Sequence, residues 1–129
     1  MAKILVVDDD VDIRTLVETR LRRLGHRVVC AGSGEEALAV LADKGAPDVL
    51  VLDVLMPGIS GLELLTSIRQ DADLADVPAV FLSGRVLETD IEAGRALGAT
   101  YLTKPVVLSA LAATVDKVLA AETVGAGTW

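Results

Sequence analysis

Lys3-Ile4-Leu5-Val6-Val7-Asp8-Asp9-Asp10 is an aliphatic run that stops abruptly on three carboxylates. A short, nearly continuous aliphatic run reads as a strand buried on both faces. The same shape returns along the chain. Asp48–Leu52 ends on Asp53, Pro78–Leu82 ends on Ser83, and Thr100–Thr103 ends on Lys104. A further short run, Arg27–Ala31, supplies a fifth strand.

The segments between them change period. Ile13, Leu16, Val17, Leu21 and Leu24 recur at spacings of three and four, the face of an amphipathic helix, and Gly25 stops it. Helical segments are expected from Glu35 to Leu41, Leu62 to Gln70, Leu87 to Leu97 and Leu108 to Ala121. Five βα units in 129 residues imply one α/β domain. Its parallel sheet is doubly wound, with helices on both faces and right-handed crossovers.

Composition agrees and removes whole classes of function. Hydrophobic residues make up 52% and aromatic residues 2%, so the core is Val, Leu, Ile and Ala around Phe81 and Tyr101. The net charge of −7 argues against nucleic acid and against an anionic membrane surface, both of which need basic residues. One cysteine, Cys30, excludes an internal disulfide and reads as a small buried side chain. His26, the one histidine, reads as a surface turn residue, and Arg20, Arg22 and Arg23 read as a solvated helix face. No apolar run approaches the ~20 residues of a membrane span and no signal peptide is legible, so a cytoplasmic protein is expected.

In open parallel sheets the functional crevice lies beyond the carboxyl ends of the strands. Those ends carry Asp8, Asp9 and Asp10, then Asp53, then Ser83, then Lys104. Asp10 and Asp12 read as caps of the following helix. The other carboxylates repel one another unless a cation sits among them. An all-oxygen cluster suits Mg²⁺. A carboxylate beside Mg²⁺ and a lysine can attack a phosphoryl group, giving an aspartyl phosphate.

With these residues placed, the chain resembles the receiver domain of two-component response regulators over residues 3–121. The motifs that carry the resemblance are Ile4–Asp9, Leu52-Asp53-Val54-Leu55-Met56-Pro57-Gly58, Gly61–Leu65, Ser83-Gly84 and Tyr101-Leu102-Thr103-Lys104-Pro105. The resemblance implies a flavodoxin-like sheet of strand order 2-1-3-4-5. It implies a receiver domain over residues 1–122 and a C-terminal tail over 123–129. Asp53 would be the phosphoacceptor. Asp8, Asp9, Asp53 and the backbone carbonyl of Leu55 would hold Mg²⁺, with Mn²⁺ as a substitute. Lys104 would pair with the phosphoryl group, Ser83 would be the switch hydroxyl, and Tyr101 would turn with it. The implied phosphodonor is a histidine kinase or histidine phosphotransfer protein. A downstream protein partner would read the surface of the fourth helix, fifth strand and fifth helix. No separate substrate turnover is implied.

The chain departs from the family pattern in places. Serine replaces the commoner threonine at position 83, Gly98–Tyr101 is one residue short, and Val106 stands where phenylalanine is usual. Leu55 and Arg85, two residues beyond Asp53 and Ser83, occupy positions that flank the phosphoryl group in this family. Leu55 neither orients nor activates water, so a long-lived phosphorylated state is expected.

Three other readings compete. Gly32-Ser33-Gly34-Glu35-Glu36-Ala37 spells a dinucleotide fingerprint, but its two glutamates would repel a pyrophosphate. A Mg²⁺-dependent phosphatase would want a second acid where Leu55 stands. A degenerate receiver would dock without phosphorylation. Trp129 lies in the tail with no assigned role.

Overall fold

The computed structural model describes residues 2–84 and 88–120, with the side chains of 88–90 left aside. Arg85, Leu87, the expected 123–129 tail and Trp129 lie outside the described residues. The elements alternate strictly: β1 (Lys3–Val7), α1 (Val11–Arg23), β2 (Arg27–Ala31), α2 (Gly34–Lys44), β3 (Val49–Asp53), α3 (Gly61–Arg69), β4 (Ala79–Ser83), α4 (Glu88–Ala96), β5 (Ala99–Thr103) and α5 (Leu108–Ala120). The five strands are parallel and lie in the order β2-β1-β3-β4-β5. This is the fold expected from the alternation of runs and of the strand order implied by the resemblance.

Alternation within each strand builds two cores. Leu5, Val7, Leu50, Leu52 and Phe81 face one side and pack with Ala37 and Leu41 of α2 and Leu64, Leu65 and Ile68 of α3. Ile4, Val6, Val49, Val51, Val80 and Leu82 face the other side. There they meet Val17 and Leu21 of α1 and Leu111, Val115 and Leu119 of α5. Both faces of β1, β3 and β4 are therefore dry, which is why these strands read as unbroken aliphatic runs.

The starts of α1, α2 and α3 fall a residue or two earlier than the apolar periodicity suggests, because the caps lie upstream of the first core residue, whereas α5 starts at Leu108 as expected. Asp10 caps α1, accepting from the N–H groups of Asp12 and Ile13. Ser33 caps α2. Ser60 and Glu63 form a reciprocal capping box on α3, which the apolar pattern did not reveal. Each satisfies N–H groups that a helix start leaves without partners. Gly25 and Gly98, at φ 92° and 81°, follow α1 and α4, the left-handed exits expected of glycine.

Two single-residue expectations change. His26 is half-buried rather than a surface residue: its Nδ1 accepts the Ala2 N–H at 3.2 Å, and burial lowers its pKa against the pull of Asp116. Cys30 is only partly buried, and burial together with Glu18 pushes its thiol up to about 12. The thiol therefore stays protonated and unreactive. On α1, Arg22 is not merely solvated. It pairs with Glu18 at 3.1 Å and donates to the Val28 carbonyl at 3.1 Å.

The glycine that matters most for the carboxyl edge is Gly61. A Cβ there would overlap the backbone carbonyl of Asp53 and press on the Phe81 ring. Its N–H also donates to the Val54 carbonyl at 2.8 Å, closing the β3–α3 loop. The obstacle is main chain, which cannot swing away as a side chain can. Gly61→Ala is therefore expected to cost about 2 kcal/mol by overpacking, read as a lower midpoint in urea denaturation.

Candidate functional site

The sheet order sets β1 between β2 and β3, and β3 beside β4, so the expected polar residues converge at one edge. Val7 pairs with Leu52, Asp53 with Leu82 and Ser83 with Thr103. Asp8 follows β1, Asp53 ends β3, Ser83 ends β4 and Lys104 follows β5. A main-chain bond from the Lys104 N–H to the Ser83 carbonyl, 2.8 Å long, fixes the last two side by side. The Lys104–Pro105 peptide is cis.

At the centre the Lys104 ammonium lies 3.3 Å from Asp8 Oδ2 and 3.3 Å from Asp53 Oδ1. Asp8 and Asp53 are 1% and 5% exposed, whereas Asp9 is open to solvent. One carboxylate oxygen from each of Asp8, Asp9 and Asp53 lies within 4.8 Å of the others.

Such crowding should move ionisations, and it does. Burial raises the Asp53 pKa to about 6, Asp8 adds to the rise, and Lys104 opposes it. Burial works against the Lys104 ammonium, yet Asp53 and Asp8 together outweigh it and hold its pKa above the usual lysine value. One ammonium thus faces more negative charge than it neutralises.

Asp8 is held on nearly every polar atom. Its N–H donates to the Ala31 carbonyl at 3.1 Å, and its own carbonyl accepts from Arg14 Nη1 at 2.9 Å. Its Oδ1 accepts the Asp10 N–H at 2.9 Å. Its Oδ2 is, among the described residues, the buried side-chain oxygen that lacks a hydrogen bond; the Lys104 ammonium pairs with it electrostatically, without hydrogen-bond geometry. A buried carboxylate oxygen left this way is costly unless a cation meets it. Three hard oxygen donors within reach of one ion, one of them exposed, fit Mg²⁺ with its retained waters. The donor set therefore suits the metal read from the sequence.

The remaining residues are placed as follows. Ser83 is 1% exposed at the end of β4. Tyr101 is half-buried, its ring stacked on Phe81 at 5.1 Å between centroids, with its hydroxyl against Gly94 of α4. A side chain at position 94 would collide with it. The Leu55 side chain is 64% exposed in the β3–α3 loop. Val106, in place of the usual phenylalanine, is half-buried against the α1–α5 core.

The fingerprint-like loop has no free cradle. Glu36 accepts the Gly32 N–H at 3.0 Å, and Ser33 Oγ accepts the Glu36 N–H at 3.1 Å. Gly34 gives room to the Ile59 side chain. These contacts account for the loop as a helix start packed against the β3–α3 loop.

Arg14 is a site neighbour that the sequence reading passed over. The signal was present: Arg14, Val17 and Leu21 share one helical stripe, so a charge stands in an apolar row.

Comparison with known proteins agrees with the geometry. The family described as the response regulator receiver domain matches residues 4–116. The chain is 36% identical over 121 residues to protein PilH of Pseudomonas aeruginosa, covering 93% of this chain and 99% of PilH. It is 41% identical over 120 residues to the transcriptional regulatory protein AfsQ1 of Streptomyces coelicolor, covering 92% of this chain but 52% of AfsQ1. The chain thus spans about half the length of that relative. Among solved structures, Vibrio cholerae chemotaxis protein CheY4 superposes with a TM-score of 0.86 at 35% identity, covering 92% of this chain and 99% of CheY4.

The raised Asp53 pKa has a measurable sign. A carboxyl whose folded pKa is about 6, against an ordinary 3.8, binds more protons folded than unfolded between those values. In metal-free buffer its contribution to stability therefore falls as pH rises from about 4 to about 6, then levels. Asp53→Asn is expected to flatten that fall and to raise the urea midpoint above pH 7. An unchanged pH profile in the variant would show that Asp53 is not the strained carboxyl.

Proposed function

The chain belongs to the response regulator receiver domain family of two-component signalling, and from that membership we propose that it is a phosphorylation-dependent switch whose phosphoacceptor is Asp53. The observation that carries this reading is the Lys104 ammonium held 3.3 Å from one oxygen of Asp8 and one of Asp53. An arrangement that stabilises two buried carboxylates is also suited to stabilise the charge of an incoming phosphoryl group.

Each residue has a definable task. Asp8, Asp9, Asp53 and the Leu55 backbone carbonyl would hold Mg²⁺, or Mn²⁺ in its place. The bound metal would supply positive charge that relieves carboxylate repulsion and offsets charge on the phosphoryl oxygens. Asp53 offers its carboxylate oxygen to phosphorus. The bond from phosphorus to the donor nitrogen breaks, and that nitrogen keeps the electron pair. With a pKa near 6, Asp53 is mostly ionised at neutral pH and ready as a nucleophile. Lys104 pairs with the transferred group.

The relay follows from the new charge. A phosphoryl group adds strong acceptors at the end of β3, and the Ser83 hydroxyl can meet one by drawing its loop inward. Tyr101 fills space between Phe81 and Gly94 and turns with that movement. The α4-β5-α5 surface then changes for a downstream protein partner. Receiver domains interact with histidine kinases or phosphotransfer proteins, and one of these is the proposed donor. On this reading the chain turns over no separate substrate, contacts no nucleic acid or membrane directly, and works in the cytoplasm. Among the described residues no helix is long and apolar enough to cross a membrane.

Intact mass after incubation with Mg²⁺ and acetyl phosphate tests the acceptor. One added phosphoryl group is expected, absent without metal and absent in Asp53→Asn. No adduct from either acetyl phosphate or a phosphorylated kinase would mark a docking module that works without phosphorylation. Turnover of a generic aryl phosphate would instead indicate a phosphatase. The exposed, apolar Leu55 offers no hydrogen bond to an attacking water, so the adduct should be long-lived. Leu55→Asn is expected to shorten its half-life severalfold, followed by mass after removal of donor.

A further inference from the structure

Resting on the reading of Asp8 as part of a Mg²⁺ site, we propose that Arg14 is a positioning residue for that site, seated by Gly32 and Glu36 of the β2–α2 loop. Nothing in the phosphoryl chemistry uses these three residues, yet they are connected in space. Arg14 Nη1 donates to the Asp8 carbonyl at 2.9 Å. A Cβ at Gly32 would stand 2.9 Å from that same Nη1 and 3.5 Å from Glu36 Oε2. Glu36 Oε2 in turn accepts the Gly32 N–H at 3.0 Å, which fixes the loop that leaves room for the guanidinium.

The consequence lies in the orientation of Asp8. Its N–H is tied to Ala31 and its Oδ1 to the Asp10 N–H, so Arg14 supplies the remaining main-chain restraint. With these three held, Oδ2 is the atom left to face Lys104 and an ion. The peptide whose carbonyl Arg14 grips is the one that leads into Asp9, so the same bond sets where the second carboxylate starts. A donor fixed this way costs less ordering when the metal arrives. The arrangement also explains the glycine and the second glutamate of the fingerprint-like sequence, Gly32 and Glu36, without any nucleotide.

Mg²⁺ titration by calorimetry, run beside urea denaturation in metal-free buffer, tests the assignment. Arg14→Met keeps the length and apolar stem of the side chain but removes the donor. It is expected to weaken Mg²⁺ binding about tenfold, the usual size of an outer-shell effect. Arg14→Lys, which keeps one donor, should recover most of that loss. Gly32→Ala, at a position without positive φ, should push the guanidinium aside and weaken Mg²⁺ binding in the same direction. If Arg14→Met does not fold, this variant tests the seat from the opposite side. The pair together should lose no more than Arg14→Met alone, since both break one contact.

Mg²⁺ affinity within twofold of wild type in Arg14→Met, or in Gly32→Ala if the former does not fold, overturns the inference. So does a loss confined to metal-free stability, because that is what a purely structural arginine would give. These results leave the phosphoacceptor reading intact whenever the wild type still gains a phosphoryl group from acetyl phosphate. A wild type that neither binds Mg²⁺ nor takes up the phosphoryl group overturns both.

Discussion

A lysine ammonium shared between two buried carboxylates is the constraint on which the carboxyl edge of this sheet depends. Asp8 and Asp53 are nearly sealed from water, and each would be costly there alone. Lys104 reaches both from the end of β5. Burial, with Asp8 adding to it, still holds the Asp53 pKa up at about 6 against the pull of Lys104. On the proposed reading, a metal ion would relieve that crowding and a phosphoryl group on Asp53 would change it again.

The packing beneath supports this by bringing backbones close. Gly61 lets the start of α3 reach the carbonyl of Asp53, and Gly34 lets α2 accept Ile59 from the same loop. Both contacts fix the β3–α3 loop that follows Asp53. On the opposite flank the Lys104 N–H bonds to the Ser83 carbonyl, so a displacement of one strand end is felt by the other. Gly94 leaves the Tyr101 ring room against α4. The site and the surface it is proposed to control are thus joined through β4 and β5.

Membership of the receiver family rests on residues 4–116, and the near end-to-end match to PilH and CheY4 shows that chains of this length occur in it. AfsQ1 has about as much chain again.

The division between sequence and fold is clear residue by residue. Strands announced themselves because three of them are dry on both faces, so the aliphatic runs from Ile4 to Val7 and from Val49 to Leu52 needed no context. The chemistry at their ends was legible for the same reason: Asp8, Asp53 and Ser83 interrupt apolar runs where a polar side chain has to have a purpose. Helix starts were less legible, since Asp10, Ser33 and Ser60 act through single side-chain bonds that carry no periodic signal. Not legible in the sequence were the close approaches across the turns between strands and helices: Gly32 beneath Arg14, Gly61 against Asp53 and Gly94 against Tyr101 become neighbours only when the helices fold back onto the sheet. The sequence by itself determined which elements form and which side chains stand at their ends, because burial and periodicity are local. Only the tertiary structure decided how closely those ends approach and which carboxylate oxygen is left without a hydrogen bond, because both depend on how helices seat on the two faces of the sheet.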